Sequence, residues 1–483
     1  MGEKNNVKKA VILAAGQGKR MRAATSKVLC EVTGKPMLLW VIDAARGAGV
    51  DEICVVASEK DVMEAAEKAG CCIREQAERL GTGHAVRMAE DFLKEESGDT
   101  LVLAGDAPFM DSGTLKQAYE MHVRQGNAVT VISAEIGDPG RYGRIIREGD
   151  ALKGIVEAAD CTDEQKQIRE INSGAYWFNT GRLTEALQQI RNDNAQGEYY
   201  LTDAVAILIG AGYKAGAYTA ASEDVVLGAN DPAGLLLLNE IAARRAIDRH
   251  LENGVQFRLR DGVIIGPDVV IEAGAVILPG CTLTGKTVIR SGAVIGPNSM
   301  VTDSEIGENT HFESSKATEA KVGRDAKIGP YVQLRPNSVI GNKVKIGDFV
   351  EIKNSNIGEG TSVAHLTYIG DADVGRHCNF GCGVVFVNYD GEVKNRTTVG
   401  NFCFVGCNTN LIAPVTLGDG AYTAAGATVT KDVPAGALAI SREALVIKDG
   451  WAARTLKKYI EKKEKIKYFI YRQMHVWKGE MAL

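Results

Sequence analysis

Val263 to Val301 read VIIGPDVVIEAGAVILPGCTLTGKTVIRSGAVIGPNSMV. Within this stretch Ile265, Ile271, Ile277, Leu283, Ile289, Ile295 and Val301 recur every sixth residue. An α-helix repeats at 3.6 residues and a strand at 2, so neither produces a period of six. A parallel β-helix of hexapeptide repeats does, with one short strand and one turn per step and the aliphatic side chain inward. The phase resumes at Val322, Ile328, Leu334, Ile340, Ile346 and Ile352, and again at Ile357, Val363 and Ile369. It passes through Phe380 and Phe386 and ends with Val399, Val405, Leu411, Leu417 and Val429. At three steps per coil, about 165 residues predict roughly nine coils.

Glycine supports the reading. Of 54 glycines, 25 lie between Gly262 and Gly436. Only 11 prolines and no Gly-X-Y register exclude collagen. Glycines that follow the aliphatic, as in Ile265-Gly266 and Ile346-Gly347, are expected at corners. The repeat breaks once, from Phe386 to Val399, where about seven residues are looped out around Asn388-Tyr389-Asp390-Gly391. Allowing for that loop, Cys378 stacks with Cys403, and Cys382 with Cys407, one coil apart. Small buried thiols are expected at all four. Zinc or a disulfide is the alternative, although this spacing is not that of a zinc knuckle.

Upstream, residues 8 to about 230 alternate apolar strands with helical patterns, which implies a mainly parallel sheet covered on both faces. Ligands of such sheets bind beyond the carboxyl ends of the strands. Two features sit there. Ala14-Ala-Gly-Gln-Gly-Lys-Arg20 follows the first strand, and its glycines suit close approach of backbone N–H groups to a phosphate. A plain strand-to-loop turn is the alternative. A dinucleotide fingerprint is the runner-up, weakened by Met21 at its third glycine position, and the absence of Gly-Lys-Ser/Thr excludes a P-loop. Asp106, in Ala-Gly-Asp-Ala-Pro, reads either as a turn or cap residue or as a magnesium ligand at the sheet edge. In the β-helix, His365 lies near a corner with Arg335, Lys353 and Tyr368 within two coils. It reads as a structural donor or as a catalyst acting on a phosphorylated sugar.

Formal net charge is −5, with 56 Lys/Arg against 61 Asp/Glu. No basic field for nucleic acid is present. No apolar run approaches the ~18 residues of a membrane span. The beginning lacks a signal-peptide pattern, and ten cysteines form no framework, which predicts free thiols and a cytoplasmic location.

From about residue 8 to 450 the chain resembles the bacterial bifunctional N-acetylglucosamine-1-phosphate uridylyltransferase/glucosamine-1-phosphate N-acetyltransferase family. The motifs that carry the resemblance are LAAGQGKRM, QAERLGTGHA, GDAP, YGRI, GIVE, EINSG, GEYYLTD, LRPNSVIGNKVKIGDFVEIK, HLTYIGDA, NFGCG, VNYDG and ALAISR. It implies two sites. In the first, Leu13, Ala14, Ala15, Gly16, Gly18, Arg20, Lys27, Gln76, Gly81 and Thr82 hold UTP. Gly143, Glu157 and Asn172 hold the sugar, and Asp106 and Asn230 hold magnesium. In the second, His365 is the general base for attack of an amine on acetyl-CoA. Arg335, Lys353, Tyr368 and Asn379 bind glucosamine phosphate, and Cys382, Asn388, Tyr389, Cys407, Ala425 and Arg442 lie near acetyl-CoA. The resemblance also implies a homotrimer with small-molecule substrates and no nucleic-acid partner. The sequence departs from the family at Lys19, where threonine is common, and at Ser26, where proline usually stands. Cys382 and Cys407 stand where alanine and serine occur in some relatives.

The resulting division is an α/β nucleotidyltransferase unit (1–232), a helical linker (233–253), a hexapeptide β-helix (254–450) and a basic tail (451–483). One rival keeps only the uridylyltransferase and uses the β-helix as a trimerisation scaffold. Another is a different sugar nucleotidyltransferase with a repeat tail. Leu456, Tyr459, Ile460, Ile470, Met474 and Trp477 allow an amphipathic tail helix. It reads as packing on the assembly or as lying on a membrane surface.

Overall fold

The computed structural model describes residues 7–16, 21, 25–94, 97–149, 151–194 and 197–480, the side chains of 469–480 excepted. Gly18, Lys19 and Arg20 lie outside the described residues, as do the side chains of Ile470, Met474 and Trp477.

The first strand, Lys8–Leu13, buries Ala10, Val11 and Ile12 completely. It can do so because alternate side chains meet helices on opposite faces. Ile12 and Leu103 join the core shared with helix Met37–Gly47, and Val11 and Val102 the core beneath Leu201–Gly210. Parallel neighbours are Glu52–Ala57 and Asp99–Ala104, with Cys72–Glu75 beyond Glu52–Ala57. Glu170–Asn179 runs antiparallel between Asp99–Ala104 and Val129–Glu135, and Arg144–Glu148 and Ala151–Val156 add an antiparallel pair beside it, so the sheet is mainly but not wholly parallel. Helix Met37–Gly47 follows Pro36 and is succeeded by Gly49 at φ +79°. The helical pattern read over GTGHAVRMAEDFLKEE is shorter than expected. Among its described residues only Thr82–Arg87 is α-helical, and the next backbone bonds tighten toward three-residue turns, as Ala89 N to Val86 O and Glu90 N to Arg87 O.

From Gln256 to Ala439 the chain winds through three parallel sheets of 11, 10 and 9 strands, about one coil more than the sequence count. The inward aliphatics from Ile265 to Val429 are all buried. Each removes enough apolar area from water to contribute about 1.5–3 kcal/mol.

Two expectations need correction. The repeat does not break only once. Buried Ile306, Phe312, Ala317 and Val322 continue the core after Val301, with several steps of five residues. Asp303, Ser314 and Glu319 in those short steps hold φ between +44° and +48°. Left-handed residues turn the corners of the six-residue steps as well, as at Asn298 and Asn309 with φ +54° and +55°. The glycines after the aliphatics do lie at corners, but turning is not what requires all of them there. A Cβ at Gly307 would sit 2.5 Å from the Gly323 carbonyl carbon, and one at Gly375 2.6 Å from that of Gly400. Close stacking of successive coils, not turning, excludes side chains there.

Helix Pro232–Glu252 joins the two units. Asp231 caps it by accepting from Gly234 N at 2.9 Å. Leu238 and Ala242 pack with Met37 and Phe109, whereas Ala246 and Ile247 enter the β-helix core. Lys35 pairs with Asp268 at 2.9 Å across the same junction. The looped-out segment closes on itself, since Asp390 accepts from Glu392 N and Val393 N and Asn395 N donates to Asn388 O at 2.7 Å. From Ile440 to Tyr468 every residue is exposed, and a helix runs from Trp451 to Glu480. Among the described residues no helix is long and apolar enough to cross a membrane.

Candidate functional sites

A cavity of about 670 Å³ opens at the carboxyl ends of Lys8–Leu13 and Asp99–Ala104. Leu13, Ala15 and Gly16 form one wall, Gln76, Gly81 and Thr82 another, and Lys27 and Asp106 a third. Ala14 is buried behind them and is fixed by its N–H to Val56 O at 2.8 Å. A Cβ on Gly16 would meet no atom within 4 Å among the described residues, so none of these demands glycine there. Gly81 is different. Its φ is +109°, and a Cβ would lie 2.5 Å from Tyr199 O, so its own fold requires glycine whatever the ligand. Buried Gln76 donates to Gly81 O at 3.2 Å and meets His84 Nδ1 at 3.0 Å, which fixes its amide on the wall. Thr82 Oγ1 accepts from Leu201 N at 3.0 Å.

Lys27 is the hinge of this site. Its ammonium pairs with Asp106 and donates to Asn230 Oδ1 at 2.6 Å. Two oxygens from segments far apart in sequence thus converge on one cation-sized position. Gly228 permits this, since a Cβ there would be 2.9 Å from Asp106 O. Hard oxygen donors of this kind suit magnesium, which takes one or two protein carboxylates and completes its shell with phosphate and water. Among the described residues no group of three or more His, Cys, Asp or Glu could hold a metal by itself.

Gly143, Glu157 and Asn172 are brought together at the far side. Asn172 N donates to Gly143 O at 2.9 Å, and Asn172 Nδ2 to the Tyr176 hydroxyl at 2.7 Å. Burial pushes the Glu157 carboxyl up, a Thr202 hydroxyl at 3.4 Å partly offsets this, and the charges of Asp160 and Asp203 add to it. Burial also raises the Tyr176 phenol, which keeps it a neutral hydroxyl.

On the β-helix, strands Glu351–Lys353 and Tyr368–Gly370 stack in register, Lys353 against Gly370. Arg335 hangs from the coil before, its N–H bonded to Ile352 O at 2.8 Å and its guanidinium paired with Glu351 at 2.7 Å. Arg335, Lys353 and Tyr368 therefore share one face of the prism. Asp371 anchors that face, accepting from Asn354 Nδ2 at 2.6 Å and from Asn388 Nδ2 at 2.5 Å. Burial alone would raise its carboxyl. The two amide bonds and the charges of Lys353 and Lys394 outweigh that and hold it below the usual range. Lys394 of the ejected loop lowers Lys353 by its side-chain contact, with some burial and its charge adding to the effect.

His365 ends strand Ser362–His365 at the neighbouring corner, exposed. From it a ladder climbs. Gly383 N donates to His365 O at 3.4 Å, Asn408 N to Cys382 O at 2.8 Å, Gly426 N to Cys407 O at 2.8 Å, and Arg442 Nη2 to Ala425 O at 3.3 Å. Cys382, Cys407, Ala425 and Arg442 thus line one edge over about 15 Å, at ~4.8 Å per coil. Asn379 lies on the same sheet as His365, opposite Ser362, and not with the Arg335 group. Exposed Tyr389 is on the loop.

All ten cysteines are free. The stacking of Cys378 with Cys403 holds, and both are buried. They donate to Gly400 O at 3.0 Å and Gly418 O at 3.1 Å. Burial pushes the Cys378 thiol up to about 11. The expectation of buried thiols fails for the other pair. Cys382 is half-buried and Cys407 exposed, because they flank the corner and do not point inward.

Residues 10–198 match the MobA-like NTP transferase domain family, and residues 319–354 match six repeats of the bacterial transferase hexapeptide family. The chain is 48% identical over 445 residues to the bifunctional protein GlmU of Clostridium acetobutylicum, covering 92% of this chain and 97% of that protein. Identity to its counterpart in Thermoanaerobacter pseudethanolicus is 48% over 451 residues, covering 93% and 98%. For Clostridioides difficile it is 46% over 450 residues, covering 92% and 97%. The chain belongs to the bifunctional GlmU family.

As a GlmU protein it is a transferase that joins a nucleotidyltransferase unit to hexapeptide acyltransferase repeats. Several wall residues of this GlmU chain escaped the sequence reading. Arg79, Tyr176 and Glu198 line the cavity. Arg79 lies in the same motif as Gln76, which was a usable signal. Asp371 and Lys394 were missed on the β-helix. Asn354, Asp371 and Asn388 are spaced seventeen apart, one coil each, and that spacing marks a ladder.

Proposed function

We propose that the β-helix acetylates glucosamine-1-phosphate with acetyl-CoA, and that the α/β unit then transfers UMP from UTP to N-acetylglucosamine-1-phosphate. The products are UDP-N-acetylglucosamine and pyrophosphate. What carries this reading is that both constellations, the cavity and the His365 ladder, fall within one chain similar to bifunctional GlmU proteins over 92–93% of its length.

In the first site the sugar phosphate is already an ionised nucleophile, and needs no base. The backbone of Leu13–Gly16 and the walls at Gln76, Gly81 and Thr82 orient the nucleotide, with Gly18 and Arg20 assigned to the same task. Gly143, Glu157 and Asn172 orient the sugar for in-line attack on the α-phosphate. Lys27 offsets charge that builds on the phosphates. Asp106 and Asn230 would hold magnesium, which when bound neutralises phosphate charge.

In the second site Arg335 and Lys353 hold the phosphate, with Tyr368 and Asn379 beside the sugar. His365 accepts the amine proton as nitrogen attacks the thioester carbonyl, and CoA leaves as the thiolate. The ladder from Cys382 to Arg442, with Asn388 and Tyr389 on the loop, supports the long CoA chain. The placement of this ladder and of the Arg335 group on different edges of an open prism supports a homotrimer in which copies share each site. We assign the nucleotidyl unit to 1–232, the linker to 233–253, the acetyltransferase to 254–450 and a separate tail to 451–483. The location we assign is cytoplasmic.

The test is one assay of purified protein with glucosamine-1-phosphate, acetyl-CoA, UTP and magnesium, following CoA and pyrophosphate separately. Both should appear, pyrophosphate only after CoA. Pyrophosphate from supplied N-acetylglucosamine-1-phosphate, without CoA from glucosamine-1-phosphate, would favour the scaffold reading of the β-helix.

A further inference from the structure

The two proposed sites leave the segment after Arg442 without a task. From Glu443 to Tyr468 it buries nothing. Leu445, Val446 and Ile447 are 87, 74 and 75% exposed, and Trp451, Leu456, Tyr459, Ile460 and Ile466 are about half or more exposed. A run of large apolar side chains this open is a contact surface awaiting an occupant. GlmU relatives are matched over 97–98% of their own length while 92–93% of this chain is used. The shared activities therefore leave over a share of about the tail's size.

The pattern on the helix Trp451–Glu480 says what kind of occupant fits. At ~100° per residue, Leu456, Tyr459, Ile460 and Ile466 fall within one arc of about 120°. Arg454, Lys457, Lys458, Lys462 and Lys465 fall on the other side. Lys463 and Lys467 lie within the apolar arc itself. A dry seam between two helices would enclose those two ammonium groups, which is costly. A lipid interface accepts them, because their stems lie along the apolar surface while the charge reaches up to the headgroups.

Charge separates the tail from the body. Residues 451–483 hold nine Lys/Arg and three Glu, six net positive charges in a chain whose total is −5, which leaves −11 for the rest. An anionic surface attracts the tail alone. Tyr and Trp at the rim of the stripe suit the headgroup level.

We propose that the C-terminal helix is a docking element for an anionic lipid surface. It lies in the interface with the Leu456–Ile466 stripe inward and its lysines at the headgroups, while the acidic body stands off. The proposal holds whether or not the two catalytic assignments do.

The test is flotation of the full-length protein with vesicles of mixed phosphatidylglycerol and phosphatidylcholine, or of phosphatidylcholine alone. Strong partition to the mixed vesicles is expected, weakening with salt, and about a hundredfold less on neutral vesicles. The variant K458Q/K462Q/K465Q should lose about a hundredfold in partition at low salt, with helicity by circular dichroism and both product-release rates in solution unchanged. A second variant, I460S/I466S, should weaken binding while keeping its salt dependence. The proposal is overturned if wild type stays unbound, or if neutral vesicles bind equally well. It is also overturned if the lysine variant changes sedimentation size instead of vesicle binding, since the tail then docks on the acidic body of a neighbouring copy.

Discussion

The two units build their sites in opposite ways. The α/β unit gathers scattered loops around an open cavity, with Lys27, Asp106 and Asn230 brought within one ion's reach. The β-helix strings its residues along the edges of a regular prism, so Cys382, Cys407 and Ala425 are positioned by stacking alone. A cavity depends on each loop separately. A ladder depends on coil spacing, and one wrong coil shifts everything above it. The units should therefore fail independently, and at different kinds of residue.

The sharpest break is at the reacting groups. His365→Ala should lower CoA release by about a thousandfold and leave pyrophosphate release from N-acetylglucosamine-1-phosphate intact. Asp106→Ala should do the reverse. If either variant impairs both activities, the units are coupled and the comparison fails. Lys27→Met should cost about a hundredfold in pyrophosphate release alone, since it removes one charge aimed at the phosphates.

The contrast also explains what could be read in advance. The inward aliphatics of the β-helix announced themselves because each repeats at a fixed interval and each is buried for the same reason. Phe312 and Ala317 did not, because a large and a small residue alternating at five-residue steps break both the interval and the residue type. Strand Lys8–Leu13 was legible as an apolar run. The meeting of Lys27 with Asn230, 203 residues apart, was not, because only the fold closes that distance. Lys394 beside Lys353 was hidden for a related reason. Its position depends on how the ejected loop closes, through Asp390 and its backbone donors.

A ladder should be sensitive where no ligand is near. Gly375→Ala would push a methyl against the Gly400 backbone and should cost the β-helix about 1–3 kcal/mol, read as a lowered thermal transition. Pyrophosphate release should survive. Asp371→Asn should also destabilise the prism at pH 7, because the carboxylate is held ionised by Asn354 and Asn388. Its folded pKa is depressed, so its contribution is present above the unfolded value of ~3.9 and is lost as pH falls through the folded one. The gap between wild type and variant should accordingly close in acid. A gap that widens in acid would mean that Asp371 is not the anchor.

The smallest expected effect is at Cys407, and it bears on mechanism. An exposed thiol on the ladder proposed for acetyl-CoA invites a covalent route, in which sulfur takes the acetyl group before the amine does. The neighbourhood argues otherwise. Arg442 donates to Ala425 O and not to the sulfur. Direct attack by the amine, with His365 taking the proton, needs from Cys407 only a small side chain. Cys407→Ser should therefore change CoA release less than about threefold, with the effect in KM for acetyl-CoA. A loss of a hundredfold in kcat, with a burst of CoA preceding product in wild type, would replace direct transfer with an acetyl-cysteine intermediate.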